Sequence, residues 1–163
     1  MDALDAETRV HARPRDKAEL RLWLRLLTCT TLIEAEIRRR LRARFDTTLP
    51  RFDFMAQLDK AGGLTLGEVS RRMMVSNGNV TGLAERLAAE GLIERRPAPN
   101  DRRAQHVSLT PAGRRLFARM AAAHANWIAE LFADLAPDDI ASLMTLLAKT
   151  KASARRHRAE DET

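Results

Sequence analysis

Hydrophobic positions repeat at helical spacing along most of the chain. From Lys17 to about Phe45 they fall at Leu20, Trp23, Leu24, Leu27, Ile33, Ile37 and Leu41, which predicts a first helix about 40 Å long at 1.5 Å per residue. Pro50 opens a second, short helix through Phe52, Met55 and Leu58, and Gly62-Gly63 stops it. Thr65 with Glu68 three residues on has capping-box spacing and starts a third helix. VSNG interrupts it. Ser76 can cap a fourth helix, which reaches about Glu90 and ends with Gly91 in the left-handed stop position. The period then changes. LIERR is a strand candidate, PAPNDRRA a turn with Pro97, Pro99 and Asn100-Asp101 as breakers, and QHVSLT a returning strand with Val107 and Leu109 on one face. Thr110 caps a long helix with Pro111 in its first turn, and Leu116, Met120, Trp127 and Leu131 run along it. Pro137-Asp138-Asp139 begins a last helix carrying Ile140, Leu143, Met144 and Leu147.

Two short helices joined by a tight turn and followed by a basic hairpin are the parts of a winged helix-turn-helix. The expected fold is mainly α with a small β-hairpin wing, flanked by N- and C-terminal dimerisation helices. Residues 1–16 read as a flexible N-terminus, 17–48 and 111–155 as dimerisation helices, 49–110 as the DNA-binding lobe and 156–163 as a flexible tail. The long terminal helices have more apolar stripe than so small a domain can cover. Two-fold packing on the same helices of a second copy is the simplest way to bury it.

Composition narrows the partners. The 163 residues carry a net charge of +6, which favours a polyanion, either nucleic acid or an anionic membrane surface. The single cysteine, Cys29, permits no disulfide within one chain and suits a reducing, cytoplasmic setting. No apolar run approaches the ~18 residues of a membrane span.

The opening of the fourth helix, Ser-Asn-Gly-Asn, is poor helix-forming material, and Gly alone costs roughly 1 kcal/mol against Ala in a helix interior. Such residues suit an end that meets DNA. Small side chains let the backbone approach, Asn can bond a base edge, and free N–H groups suit phosphate. Ser76, Asn77, Gly78, Asn79 and Thr81 are the candidates for the major groove. At the hairpin tip, Arg102 and Arg103 stand beside Asp101, which can orient one guanidinium while the other enters a minor groove or clamps phosphate. Arg71, Arg72 and Arg86, with Arg95 and Arg96, read as phosphate contacts. An ordinary capped junction and a solvated turn are the competing accounts.

The run LTLGEVSRRMMVSNGNVTGLAERLAAEGLIERRPAPNDRRAQHVSLTPAG resembles the DNA-binding core of the MarR family of bacterial transcription regulators, and NDRRAQHVSLTPAG carries its Asp-x-Arg and Leu-Thr-x-x-Gly signature. The resemblance covers about Leu20 to Leu147. It implies a homodimer on a palindromic double-stranded DNA operator, usually a repressor released by a small aromatic or oxidising signal. LRLWLRLLTCTTLIEAEIRRRLRARFDTTLPRFDFMAQL and VSNGNVTGL look like the regulators of aromatic-acid catabolism, some of which respond to hydroxycinnamoyl-CoA thioesters. On that resemblance Trp23, Leu26, Leu27, Thr30, Phe52, Phe54 and Met55 would flank an effector crevice. Arg38, Arg40 and Arg51 would hold CoA phosphates, and His124 could touch the ligand. Core packing and a solvated arginine face explain the same residues without a ligand.

Other signals lead less far. A peroxide-sensing Cys29 is an alternative, but that branch of the family uses tyrosines to hold the thiolate and this chain has none. Cys29 is therefore expected to be a structural residue in an apolar helix. His11, His106, His124 and His157 have no metal-ligand spacing, and no cofactor is expected. There is no P-loop, GxGxxG or nucleophile motif, so no enzyme is expected. The rival of another class is a basic helical protein that binds membrane surface through IRRRLRAR.

Overall fold

A computed structural model of the chain describes residues 14–98 and 101–160, with the side chains of residues 14–16, 102, 103 and 158–160 outside that description. The elements run α1 (Pro14–Phe45), α2 (Leu49–Ala61), β1 (Leu64–Thr65), α3 (Leu66–Met73), α4 (Asn77–Ala89), β2 (Ile93–Ala98), β3 (Asp101–Leu109), α5 (Pro111–Leu131) and α6 (Pro137–Glu160). The chain divides into two compact units, with the division inside α5 between Phe117 and Ala118.

The local signals that predicted helix ends work by the chemistry expected of them. Gly62 (φ 73°) and Gly91 (φ 71°) take the left-handed conformation that ends α2 and follows α4. The Thr65 hydroxyl accepts from the Glu68 N–H at 3.2 Å, and the Glu68 carboxylate accepts from the Thr65 N–H at 2.7 Å. The Thr65 N–H, and then the Thr65 hydroxyl donating at 2.9 Å, hold the Glu68 carboxyl below its ordinary range. At α6 the Asp139 carboxylate accepts from the Ala136 N–H at 3.0 Å, so this residue caps the helix as well as complementing its dipole.

The core of the first unit lies between α2, α3, α4 and the sheet. Phe54, Leu58, Val69, Val80, Leu87 and Val107 are buried there. The sheet order is β1-β3-β2, with Leu64 opposite Val107 and Ile93 opposite Leu109, and all four of these side chains are buried. The Leu-Thr-x-x-Gly signature is a packing joint. Thr110 donates its N–H to the Leu92 carbonyl at 3.1 Å and its hydroxyl to the Gly91 carbonyl at 2.7 Å. Its hydroxyl also accepts from the Gly113 N–H at 3.0 Å. A Cβ on Gly113 would stand 1.9 Å from the Leu92 oxygen, so only glycine lets α5 begin this close to the chain that leaves α4.

The structure moves several expected boundaries. PAPNDRRA is not one turn: Pro97 pairs with Gln105 and Ala98 with Asp101, with an irregularity between them. Proline is tolerated there because β2 is an edge strand, where a missing N–H costs no ladder bond. Helix α1 starts at Pro14, inside the segment read as a flexible N-terminus, and α6 continues to Glu160, into the segment read as a tail. Pro14 suits a first helical position, and Arg156, Arg158, Ala159 and Glu160 are good helix formers.

Helix α1 buries Ile37 and Leu41 near its C-terminal end, but most of its earlier apolar residues and those of α6 stay at the surface of the single chain. On α1, Leu20, Leu22, Trp23, Leu24, Leu27 and Leu32 are exposed, and on α6 Ile140, Leu143, Met144, Leu146 and Leu147 are. Within the second unit, Ile128, Phe132, Ile140, Leu143 and Leu147 are among the residues lining an open apolar groove.

Candidate nucleic-acid interface

Helices α3 and α4 are joined by a tight turn, with Arg71, Arg72, Ser76, Asn77, Gly78 and Asn79 exposed and Met74 exposed between them. The turn is fixed from inside. Met74 adopts the left-handed conformation (φ 54°) at the end of α3. The Ser70 hydroxyl donates to the Val75 carbonyl at 2.6 Å, and the Val75 N–H donates to the Ser70 carbonyl at 3.2 Å. Ser70 is therefore the clamp of the turn, a role its unremarkable place in the sequence did not reveal. Ser76 then caps α4, its hydroxyl accepting from the Asn79 N–H at 3.4 Å.

Helix α4 has two faces. Val80, Leu83, Ala84 and Leu87 are buried. Ser76, Asn77, Gly78, Asn79 and Arg86 are exposed and Thr81 half-exposed, its hydroxyl donating to the Asn77 carbonyl at 2.9 Å. Nothing lies within 4 Å of where a Cβ on Gly78 would sit. The fold itself thus has no steric need for this glycine, and a helix would be more stable with alanine. Arg71 and Arg72 are exposed at the end of α3.

The wing carries further charge. Arg95, Arg96 and Asp101 are exposed. Arg96 pairs with Glu94 at 2.9 Å, and Glu94 also accepts from the Ser108 hydroxyl at 3.1 Å. The Ser108 bond, then Arg96, hold the Glu94 carboxyl below its ordinary range. Arg102 and Arg103 belong to β3 by their backbone, but their side chains, and the expected orientation of one of them by Asp101, lie outside the described residues.

Each expected effector residue has a definite place within its own unit. Phe52, Phe54 and Met55 are buried, and the Phe52 ring lies 5.5 Å from that of Phe117 at 33°. In the single chain these three side chains belong to the core, because α2 turns this face inward. Arg51, expected to hold a phosphate, instead pairs with Glu90 just past α4 and ties the start of α2 to the end of the DNA-facing helix. Arg38 pairs with Glu34 at 2.9 Å and Arg40 with Glu36 at 2.6 Å. Trp23, Leu27 and Thr30 are exposed and Leu26 half-exposed on α1. His124 is half-buried in the second unit, and burial lowers its pKa from the ordinary value. Cys29, expected to pack in an apolar helix, is exposed, because the single chain leaves that face of α1 uncovered.

The same ion pairs weaken the membrane reading of IRRRLRAR. Arg39 pairs with Glu36 at 2.7 Å, Arg42 with Asp46 at 3.4 Å, and Arg44 lies 5.6 Å over the Phe45 ring. The cluster is interleaved with acids and is no bare cationic stripe. Among the described residues no helix is long and apolar enough to cross a membrane, and no group of His, Cys, Asp and Glu is placed to hold a metal.

Comparison with known proteins gives one consistent result. The model of the MarR family matches residues 47–104. The multiple antibiotic resistance protein MarR of Salmonella typhimurium is 33% identical over 105 residues, 64% of this chain and 73% of that protein. The transcriptional activatory protein BadR of Rhodopseudomonas palustris is 28% identical over 133 residues, 79% of this chain and 75% of that one. Among solved structures, a MarR family transcriptional regulator from Silicibacter pomeroyi is similar at 30% identity and a TM-score of 0.74, over 86% of this chain and 98% of that one. A cysteine-to-serine mutant of Escherichia coli MarR complexed with operator DNA is similar at 25% identity and a TM-score of 0.73, over 82% and 95% of the two chains.

Proposed function

Because the chain belongs to the MarR family of transcription regulators, we propose that it acts as a homodimer that binds a palindromic operator through α4 and the wing. The observation that carries this reading is the exposed row Ser76, Asn77, Gly78 and Asn79 on a helix whose other face is buried. A glycine that the fold does not need is explained by a surface that must come close to DNA. The relative complexed with operator DNA supports the same partner. The uncovered apolar residues of α1 and α6 support the dimer.

The finer reading is a repressor of aromatic-acid catabolic genes, released by an aromatic acid or its CoA thioester. Its support is the sequence resemblance of residues 20–58 and 75–83. Two α4 helices must sit about 34 Å apart to enter successive major grooves. An effector that favours another spacing need supply only ~1–3 kcal/mol of coupling to weaken binding 5–150-fold.

Fluorescence anisotropy on DNA from the gene's own upstream region tests both levels. Asn79→Ala should lower the preference for operator over random DNA by about 1–3 kcal/mol. Equal losses on both DNAs would remove the base contact. Release by free aromatic acids or by their CoA thioesters would support the effector reading, and release by neither would sink it while leaving DNA binding intact. No binding to any DNA would sink the whole proposal.

A further inference from the structure

The first unit holds a cavity of about 280 Å³ away from its apolar core. Pro50, Asp53 and Gln57 of α2, Arg72 and Met73 of α3, and Val75 of the turn line it. Asp53 is half-buried and makes no hydrogen bond or ion pair among the described residues. Burial raises its carboxyl above the ordinary range, and the nearby Glu34 carboxylate adds to the rise. Arg38 offsets this only in part, since it is already paired with Glu34 at 2.9 Å. Arg72, on the other wall, makes no hydrogen bond or ion pair among the described residues either.

A carboxylate partly withdrawn from water and a guanidinium lining the same cavity would gain by pairing. Here they are on different helices and unpaired, with space between them. The complement of that space has reversed polarity: a cation toward Asp53 and a carboxylate toward Arg72. Pro50, Met73 and Val75 supply apolar wall between, and Gln57 one amide that can donate or accept. The volume lies at the small end of ligand sites, which limits the occupant to a small molecule.

We propose that this cavity binds a small molecule with an ammonium at one end and a carboxylate at the other across a short apolar body. The position gives such a ligand a route to the DNA-facing edge. Val75 directly precedes Ser76, the cap of α4, and Arg72 is itself a candidate phosphate contact.

The test uses the full chain without DNA, so its outcome is independent of the DNA-binding reading. Three probes are titrated: 3-(aminomethyl)benzoate, benzylamine and benzoate. Binding is followed by calorimetry and by NMR shifts at residues 50–57 and 72–75. The zwitterion should bind about tenfold or more tighter than either half-probe, with saturable shifts on both walls. Asp53→Asn, nearly isosteric, should weaken the zwitterion and benzylamine about tenfold and leave benzoate unchanged. Arg72→Gln should do the reverse, weakening the zwitterion and benzoate and sparing benzylamine. No saturable shift, shifts confined to other residues, or equal binding by Asp53→Asn would overturn the proposal.

Discussion

Helices α2 and α6 both carry apolar residues at helical spacing, and the single chain treats them differently. Phe52, Phe54, Met55 and Leu58 of α2 are at most 6% exposed, whereas Ile140, Leu143, Met144, Leu146 and Leu147 of α6 are 40–67% exposed. Helix α2 is short and enclosed by α3, α4 and a three-stranded sheet. Helix α6 is long, and the chain does not cover its stripe. The winged lobe is thus a finished core, and the terminal helices are a surface waiting for one. A regulator that must hold two reading heads at a set distance gains from this division. The heads stay rigid, and the spacing is set where the copies meet.

The largest effect should come from breaking the finished side. Phe54→Ala should cost about 3–5 kcal/mol in urea denaturation, because a fully buried ring leaves a cavity. On the unfinished side, Leu143→Asp with Leu147→Asp should leave the lobe folded but halve the mass in sedimentation equilibrium. An unchanged dimer would mean that α6 lies outside the interface. Next, Gly113→Ala should destabilise the lobe by roughly 2–4 kcal/mol, since its methyl has no room beside the Leu92 carbonyl. A near-neutral result would mean that α5 can shift without loss. Ser76→Ala removes the cap of α4 and should cost about 1 kcal/mol in thermal melts, with a further loss of operator affinity if the end meets DNA.

The smallest effects are in pH dependence, and two carboxylates should behave oppositely. Glu36 is lowered from 4.5 to about 2, chiefly by hydrogen bonds from Arg39 and then Arg40. Its contribution is present above pH 4.5 and lost as pH falls toward about 2. Its partners lie on the surface of the same helix, so it should move α1 melting only slightly, and less at high salt. Asp53 is raised instead, so its ionisation costs stability as pH climbs through the carboxylate range. Asp53→Asn should therefore stabilise the protein at neutral pH and not in acid. Equal melting of both chains at pH 7 would remove the strain assigned to Asp53.

The helix ends were legible because caps are local. Thr65, Ser76 and Thr110 each act on a backbone N–H three residues on, and that spacing is written in the sequence. The exposed edge of α4 was legible for a related reason: its weak helix formers contrast with Val80, Leu83 and Leu87 one turn away. The burial of Phe52, Phe54 and Met55 was not legible, because an apolar side chain on an amphipathic helix looks the same whether it lines a crevice or a core. Arg51 was misread because its partner, Glu90, lies 39 residues away, beyond any local pattern. The strand pairing of Pro97 was hidden by the turn-forming character of proline, which an edge position neutralises.

By itself, then, the sequence determined the order and kind of every element but the short strand β1, the caps, and which end of α4 is polar, since each depends on side chains within one or two turns of each other. Only the tertiary structure decided which apolar residues are core, that Arg51 is paired with Glu90, and that Asp53 and Arg72 line one cavity. Those outcomes depend on contacts between segments distant in the chain, where burial and charge are set by neighbours that no local spacing names.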